Sequence, residues 1–303
     1  MAFSAFATGT AQEQAPRRKS RIALFLLLPG ILYLILFFLV PLVSLVITSF
    51  QQPIVNGDIG EYQTAFRWEN YTDVIGLYGE HILRSFIYAI LATIFALLFS
   101  YPLAYFIGVK ARRWPLIQNL MLVLVIAPFF ISFLLRTLAW KSLLSDESVV
   151  VTGLKALALM APDAHFTGTP AAVIFGLTYN FIPFMTLPLY ATLERLDTRL
   201  LEAGGDLYSR PFTTFRRVTI PLSMSGIVSG VLLTFIPAAG DYINASRDFL
   251  GGTGTAMMGN VIESNFLVTL NYPAAASLSI ILMAVILVMV TAYVKRSGTE
   301  DLL

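Results

Sequence analysis

The stretch from Leu201 to Leu222, LEAGGDLYSRPFTTFRRVTIPL, is polar and basic, and it separates two long apolar runs. An acidic residue stands near its start, and Ile220-Pro221 stands near its end. Helices packed side by side are usually joined by only about two to eight residues. This connection extends over residues 194–219, so its length predicts a function beyond joining its neighbours.

Apolar residues dominate the chain. Of its 303 residues 57% are hydrophobic and 13% are charged, whereas soluble domains carry about a quarter charged residues. Because the apolar residues come in blocks, we expect a single membrane domain. The absence of cysteine excludes disulfides, thiolate metal sites and cysteine nucleophiles. A net charge of +2 is too small to indicate a nucleic-acid partner.

Six uncharged windows reach the roughly 20 residues that a helix needs to cross the hydrocarbon core. Lipid offers no hydrogen-bond partner to the backbone, so the windows are predicted to be helices and the chain an all-α integral membrane protein. The first is too long for the apolar part of a signal peptide, so we expect it to remain as a span. The windows are Ile22–Thr48, Ser85–Val109, Leu116–Leu135, Ala171–Leu193, Ile220–Gly240 and Asn271–Val294.

Basic residues predict the orientation of these spans. Of the 20 Lys and Arg residues, fourteen fall in the two tails and the second and fourth connections, and five fall in the longer connections on the other side. The positive-inside rule therefore places both termini in the cytoplasm. The predicted organisation is a disordered cytoplasmic tail at 1–20, a transmembrane domain at 21–296 and a cytoplasmic tail at 297–303.

The connection at 194–219 has the periodicity of two short helices beneath the membrane. Pro211 suits the first turn of the second helix. On periodicity alone, an interfacial loop that only follows the positive-inside rule is an equally good interpretation. The apolar face of the first helix consists of Leu196, Leu200, Ala203 and Leu207, and that of the second consists of Phe212, Phe215 and Val218.

The same connection resembles the EAA loop of the permease subunits of ABC importers, which reads EAA, three residues, G, nine residues and I-x-L-P. Gly204 replaces the second alanine, and Tyr208 replaces the turn glycine. Tyrosine disfavours the left-handed backbone that glycine permits, so the shape of this turn is open. The positions that match are Glu202, Ala203, Val218, Ile220 and Pro221.

Three further segments resemble the spermidine/putrescine branch of these permeases. Residues 128–140, PFFISFLLRTLAW, are similar to its third-span signature. Residues 234–243, TFIPAAGDYI, and 257–262, MMGNVI, are similar to its fifth span and the outer segment that follows. Polyamines are therefore the implied solute, and related branches that move opines, phosphonates or similar small solutes are the alternative.

This resemblance implies a type I ABC importer permease in the bacterial plasma (inner) membrane, without catalytic residues, cofactor or metal of its own. The implied partners are ABC ATPase subunits, a second permease that is a paralogue, an extracytoplasmic substrate-binding protein and membrane lipid. The sequence contains no G-x-x-x-x-G-K-[ST], so a partner would bind the nucleotide. The implied ATPase-coupling residues are Glu202, Ala203, Gly204, Asp206 and Arg210.

The end of the fifth window predicts a substrate pathway. Asp241 closes an otherwise uncharged run, and ionisable groups at such depth usually face a cavity or a partner. Aromatic faces and carboxylates suit the ammonium groups of a polyamine. Asp241 at the outer interface is the alternative interpretation, and Arg136 argues against a wholly anionic pathway unless it pairs with an acid. The pathway candidates are Asp241, Tyr242, Tyr179, Asn180 and Trp140.

Two other classes of membrane protein match the sequence less well. A secondary transporter would use the break at Pro237–Asp241 for a coupling ion, and it should repeat that break in the other half of the chain. No convincing second break is present. An intramembrane enzyme would need a catalytic constellation within the spans, yet the two histidines, His81 and His165, lie in polar connections.

Overall fold

Two compact units divide the chain, Met1–Leu45 and Val46–Leu303. Both predicted tails, 1–20 and 297–303, lie outside the residues that the structure, a computed structural model, describes. The residues described are 21–55, 57–197, 199–200 and 210–296.

Helices make up most of the described chain, as the sequence predicts. A small antiparallel sheet pairs β1 with β2, with Gln52 opposite Gln63. π-helical turns lie at Ile35–Leu39, Phe106–Lys110 and Phe215–Thr219, and 3₁₀ turns lie at Ala111–Arg113 and Ala127–Phe130. In chain order the elements are α1 (Arg21–Leu34), α2 (Val40–Ser49), β1 (Gln52–Pro53), β2 (Tyr62–Gln63), α3 (Glu69–Tyr105), α4 (Pro115–Ile126), α5 (Phe133–Leu143), α6 (Val149–Ala156), α7 (Pro170–Glu194), α8 (Pro211–Thr214), α9 (Ile220–Leu222), α10 (Met224–Ala239), α11 (Met258–Leu267) and α12 (Tyr272–Arg296).

Four helical segments of the described chain are long and apolar enough to cross a membrane, and the number rises to six if each of two bent helix pairs forms one span. All six predicted windows correspond to one of these segments or pairs. The four segments are Leu26–Ser49, Glu69–Arg113, Pro170–Glu194 and Tyr272–Arg296. The bent pairs are Pro115–Phe130 with Phe133–Leu143 and Pro211–Leu222 with Met224–Ala239.

The third predicted window, Leu116–Leu135, is not a continuous helix. A 3₁₀ turn that contains Pro128 follows α4. The axis of α5 makes an angle of 98° with that of the preceding segment, Pro115–Phe130. Ile131 and Ser132 have extended backbone, with ψ of 136° at each. The expectation of one straight helix is wrong because proline lacks the N–H group that would continue the helical hydrogen bonds.

The fifth predicted window, Ile220–Gly240, also begins differently from the expectation. A bend of 68° separates Pro211–Leu222 from Met224–Ala239. Its first three residues therefore belong with the helical piece that closes the connection, and the straight helix is α10 alone. The second predicted helix of the connection is confirmed, since α8 begins at Pro211.

The central helix of the second unit is α7. Within its apolar window 61% of the residues are buried, compared with 33% for the Glu69–Arg113 segment. α3 contributes a stripe of fully buried alanines that includes Ala89, Ala92 and Ala96. Small side chains let helix backbones approach closely in membranes, where packing drives helix association.

Glycines let the backbone of α10 approach α7 closely. Gly226 and Gly230 form a G-x-x-x-G pattern on one face of α10. A Cβ atom at Gly226 would lie 2.6 Å from Thr192 Oγ1, and one at Gly230 would lie 2.7 Å from Met185 Sδ. Only glycine fits at these two contacts without displacing α7.

Two short helices lie in the connections that follow α5 and α10. The first is α6, which Ser148 caps by accepting a hydrogen bond from Val151 N at 3.1 Å. The second is α11.

Candidate functional site

Asp241 stands in a buried turn just beyond the end of α10, with only 7% of its surface exposed. Its Oδ1 atom accepts a hydrogen bond from Asn244 N at 2.8 Å, and its Oδ2 atom accepts one from Asn244 Nδ2 at 3.1 Å. Burial raises the pKa of the Asp241 carboxyl group to about 6, while the hydrogen bonds from Asn244 lower it. Burial and the two hydrogen bonds thus act on this carboxyl group in opposite directions.

A polar network continues from this turn into two helices. Asn180 of α7 donates from Nδ2 to Asn244 Oδ1 at 3.1 Å and to Thr137 Oγ1 of α5, also at 3.1 Å. Asn180, Asn244 and Thr137 are all buried. Four side chains from three parts of the chain thus form one connected network (the "Asp241 network": Asp241, Asn244, Asn180 and Thr137).

Two glycines leave the space that this network and its turn occupy. A Cβ atom at Gly176 of α7 would lie 2.5 Å from Asn244 Oδ1. A Cβ atom at Gly259 of α11 would lie 2.6 Å from the carbonyl oxygens of both Gly240 and Asp241. The turn is therefore enclosed by α7 on one side and α11 on the other.

Two basic side chains attach the segment that follows Asp241 to neighbouring helices. Lys141 Nζ donates to Asp248 O at 2.7 Å, and Arg84 Nη1 donates to Ala256 O at 3.0 Å. α5 and α3 therefore hold this segment through backbone carbonyl groups.

The aromatic candidates lie in two different places. The Trp140 ring packs edge-on against Tyr179, with centroids 5.1 Å apart, and against Phe175 at 4.8 Å. Tyr242 is instead 47% exposed, and its backbone carbonyl accepts a hydrogen bond from Asn260 Nδ2. Of the three aromatic candidates, Trp140 and Tyr179 pack against each other, and Tyr242 lies apart from them.

Arg136 is a buried cation next to the network. It is 8% exposed, its Nε atom has no hydrogen-bond partner, and its guanidinium carbon lies 5.6 Å from the centre of the Phe133 ring. Among the described residues no carboxylate forms a salt bridge with it. The condition set from the sequence, that Arg136 pairs with an acidic residue, is therefore not met among the described residues.

Asn180 and Asp241 are thus brought together through Asn244, a residue that sequence reasoning did not select. One available signal was the spacing, because an aspartate commonly accepts hydrogen bonds from the backbone two or three residues later. Thr137 gave no comparable signal, since a threonine within an apolar helix usually bonds its own backbone. Thr137 Oγ1 does so as well, donating to Phe133 O at 3.0 Å.

The predicted ATPase-coupling residues fall mostly outside the described part of the chain. Arg210 alone is described; it has extended backbone and stands directly before Pro211 as the N-cap of α8. The ones outside the described residues are Glu202, Ala203, Gly204 and Asp206.

The chemistry of the Asp241 network is that of a fixed anion among amides. A carboxylate with neutral hydrogen-bond donors can attract a cation or hold a turn. Within the described ranges no group of three His, Cys, Asp or Glu residues could hold a metal ion.

Comparison with known proteins identifies the family, although no family model matches the chain. The spermidine/putrescine transport system permease protein PotB of Haemophilus influenzae is 37% identical over 230 residues, which cover 76% of this chain and 79% of that protein. PotB of Escherichia coli (strain K12) is 36% identical over 245 residues, covering 80% of this chain and 87% of that protein. The chain belongs to the PotB permease family.

A solved structure extends the likeness beyond sequence. A chain of a bacterial ABC transporter involved in the import of the acidic polysaccharide alginate matches with a TM-score of 0.65 at 17% identity, covering 92% of this chain and 96% of that one. The PotB family member described here therefore shares the fold of ABC transporter permeases.

Proposed function

We propose that this chain is the translocating permease subunit of an ATP-driven importer of polyamines such as spermidine and putrescine. The observation that carries the proposal is the identity of 36–37% with PotB permeases over most of both chains. Opines, phosphonates and other small solutes lack comparable support, because both PotB relatives described above belong to the spermidine/putrescine system.

The proposed topology has six spans with both termini in the cytoplasm. Each bent helix pair would form one span, which supports six crossings instead of four. The excess of Lys and Arg in the tails and in two connections supports the orientation. The proposed domains keep the predicted bounds of 1–20, 21–296 and 297–303.

The connection at 194–219 is proposed to dock on separate ABC ATPase subunits, with Glu202 and Arg210 supplying charge and Ala203 and Gly204 permitting close approach. Protein interfaces generally depend on a few buried contacts. The other proposed partners are a paralogous second permease and an extracytoplasmic binding protein, which would deliver the substrate from outside.

The Asp241 network is proposed to border the outer part of the substrate pathway, together with Tyr242, Tyr179 and Trp140. A carboxylate attracts ammonium groups, and the paired rings of Trp140 and Tyr179 offer faces for cation–π contact. Because Asp241 is buried, substrate contact requires movement of this turn.

Reconstitution tests the proposal directly. The complex of this chain with its ATPase, second permease and binding protein is placed in liposomes, and ATP-dependent uptake of labelled spermidine and putrescine is measured. Opine and phosphonate serve as competing solutes. Uptake that ignores polyamines and responds to one of those competitors would refute the substrate assignment.

A variant of the docking connection tests the coupling role. Glu202→Lys reverses the charge at the proposed ATPase contact, so we expect loss of ATPase binding or of ATP-driven uptake with membrane insertion unchanged. Glu202→Gln removes the charge without reversing it and should have a smaller effect. Normal ATPase retention and uptake in Glu202→Lys would reduce the connection to a topological anchor.

A further inference from the structure

The guanidinium group of Arg112 collects four backbone carbonyl oxygens from two helix ends. Nη1 donates to Leu196 O at 3.1 Å, and Nη2 donates to Leu193 O at 2.9 Å and to Glu194 O. Nε donates to Gly108 O on its own segment at 2.9 Å. One side chain therefore joins the segment that follows α3 to the end of α7.

The chemistry of a helix end explains why an arginine suits this position. The last four carbonyl groups of α7 have no partner within the helix. They also carry the negative end of the helix dipole, which favours a cation. Arginine offers five N–H donors in a rigid fork, whereas lysine offers one compact ammonium group. The Arg112 contact is thus specific in geometry as well as in charge.

Close packing reinforces the same junction. A Cβ atom at Gly108 would lie 3.2 Å from Glu194 N and 3.3 Å from Leu193 Cβ. Leu193 and Leu196 are buried in one cluster with Ala104 of α3. The junction therefore fixes residues 193–196, where the connection at 194–219 begins.

The far end of this connection is attached to α3 as well. Tyr101 Oη and Ser223 Oγ share a hydrogen bond of 2.7 Å, and both groups are buried. The rings of Tyr101 and Tyr105 pack edge-on against Phe215, with centroids 5.4 Å and 5.8 Å away. α3 and the helical turns that follow it thus hold the connection at its start and at its end.

We propose that residues 101–113, which comprise the end of α3 and the two helical turns after it, transmit the movement of the connection to the membrane helices, and that Arg112 is a positioning residue in this transmission. The proposal rests on the proposed function, because it takes 194–219 as the connection that the ATPase moves. With both ends tied to α3, a displacement of the connection carries α3 and α7 with it. Without Arg112 the junction keeps its packing but loses three hydrogen bonds that join residue 112 to residues 193–196, so the start of the connection is held less firmly.

The test compares Arg112→Gln with Arg113→Gln in the full transporter complex. Both variants remove one positive charge at neighbouring positions, but Arg113 is exposed and lies over the Trp114 ring, with its guanidinium carbon 3.9 Å from the ring centre. Arg112→Lys keeps the charge and loses the forked geometry. Three quantities are measured: ATPase subunits retained, polyamine moved per ATP hydrolysed, and the ATP-driven change in fluorescence of a label at Thr253→Cys on the outer surface.

We expect Arg112→Gln to retain the ATPase and hydrolyse ATP, with polyamine moved per ATP reduced at least tenfold and the fluorescence change lost. Arg112→Lys should be intermediate, and Arg113→Gln should match the parent. A purely structural role would lower the amount of complex and leave the ratio of transport to hydrolysis unchanged, which would overturn the proposal. Loss of ATPase binding in Arg112→Gln would also overturn it, since Arg112 would then serve docking.

The fluorescence readout separates this inference from the proposed substrate. If the parent shows the ATP-driven change but moves no polyamine, the substrate assignment fails while the role of Arg112 is still decided by its variants. If Arg112→Gln keeps the full fluorescence change, Arg112 does not transmit the movement, whatever the solute is.

Discussion

Replacing Asn244 with alanine removes the amide that joins Asp241 to Asn180. Two buried hydrogen bonds disappear, one from Asn244 Nδ2 to Asp241 Oδ2 and one from Asn180 Nδ2 to Asn244 Oδ1, each 3.1 Å long. The bond from the backbone N–H at position 244 to Asp241 Oδ1 survives. A hydrogen bond to a charged group contributes about 1.5–3 kcal/mol and a neutral one about 1 kcal/mol. The free energy of unfolding should therefore fall by about 3 kcal/mol.

Asp241→Asn perturbs the same network in a different way. The new amide still offers one oxygen to the backbone N–H of Asn244, but its NH₂ group faces the NH₂ group of Asn244. Turning the Asn244 amide over would relieve this conflict and create another with Asn180. One charge-assisted hydrogen bond is lost, so the free energy of unfolding should fall by about 2 kcal/mol. Only this variant also removes the negative charge.

The comparison separates a structural carboxylate from one that attracts substrate. Thermal unfolding of the purified complex should shift downward by about 5 °C or more in both variants, at roughly 2–4 °C per kcal/mol for a chain of this size. A charge pair about 4 Å apart gains about 4 kcal/mol at an effective dielectric constant of 20. Uptake affinity should therefore fall at least tenfold in Asp241→Asn, and much less in Asn244→Ala.

Two results would refute this reasoning. Unfolding temperatures within about 1 °C of the parent in both variants would mean that the network does not hold the turn. Equal uptake affinity in both variants, corrected for the amount of complex, would mean that the Asp241 carboxylate serves the turn alone and that substrate passes elsewhere.

Two further predictions concern topology and packing. Asp58→Cys should react with an impermeant reagent added outside intact cells, and Arg199→Cys should not. The positive-inside rule puts these two positions on opposite sides of the membrane. Labelling of Arg199→Cys from outside would contradict the predicted topology. Gly226→Val should destabilise the protein by about 2 kcal/mol through overpacking against Thr192. Gly79→Ala should not destabilise it, since a Cβ atom there meets nothing within 4 Å. Equal thermal unfolding temperatures of the two variants would contradict the contact between α7 and α10.

Much of the fold follows from patterns that depend on local composition. Apolar length gave the position of every membrane-length segment, because the thickness of the bilayer imposes one scale on all of them. The break at Ile131–Ser132 was missed since hydropathy does not register backbone direction, and Pro128 is compatible with both a bent helix and a full interruption. The G-x-x-x-G face of Gly226 and Gly230 was readable in the sequence, but its partner on α7 was not.

The Asp241 network could be predicted only in part. The position of a carboxylate at the end of an apolar run is visible in sequence, so Asp241 was a candidate, but the sequence left open whether it is buried or lies at the membrane interface. Asn180 was selected on its polarity, and its contact with Asn244 depends on Gly176 of the same helix leaving space for the amide. Such a contact lies across 64 residues of sequence, and no local pattern encodes which of several buried amides will meet.

Arg112 and Arg113 illustrate the limit of counting charges. Both contribute equally to the cytoplasmic excess that predicts the orientation, and nothing in their composition or spacing distinguishes them. Their difference arises from direction: Arg112 faces the carbonyl groups at the end of α7, and Arg113 turns away to lie over Trp114. These carbonyl groups are available to a side chain because α7 ends at Glu194, more than 80 residues further along the chain. The side on which a basic residue lies is thus a property of the sequence nearby, whereas the task it performs there depends on where a distant helix stops.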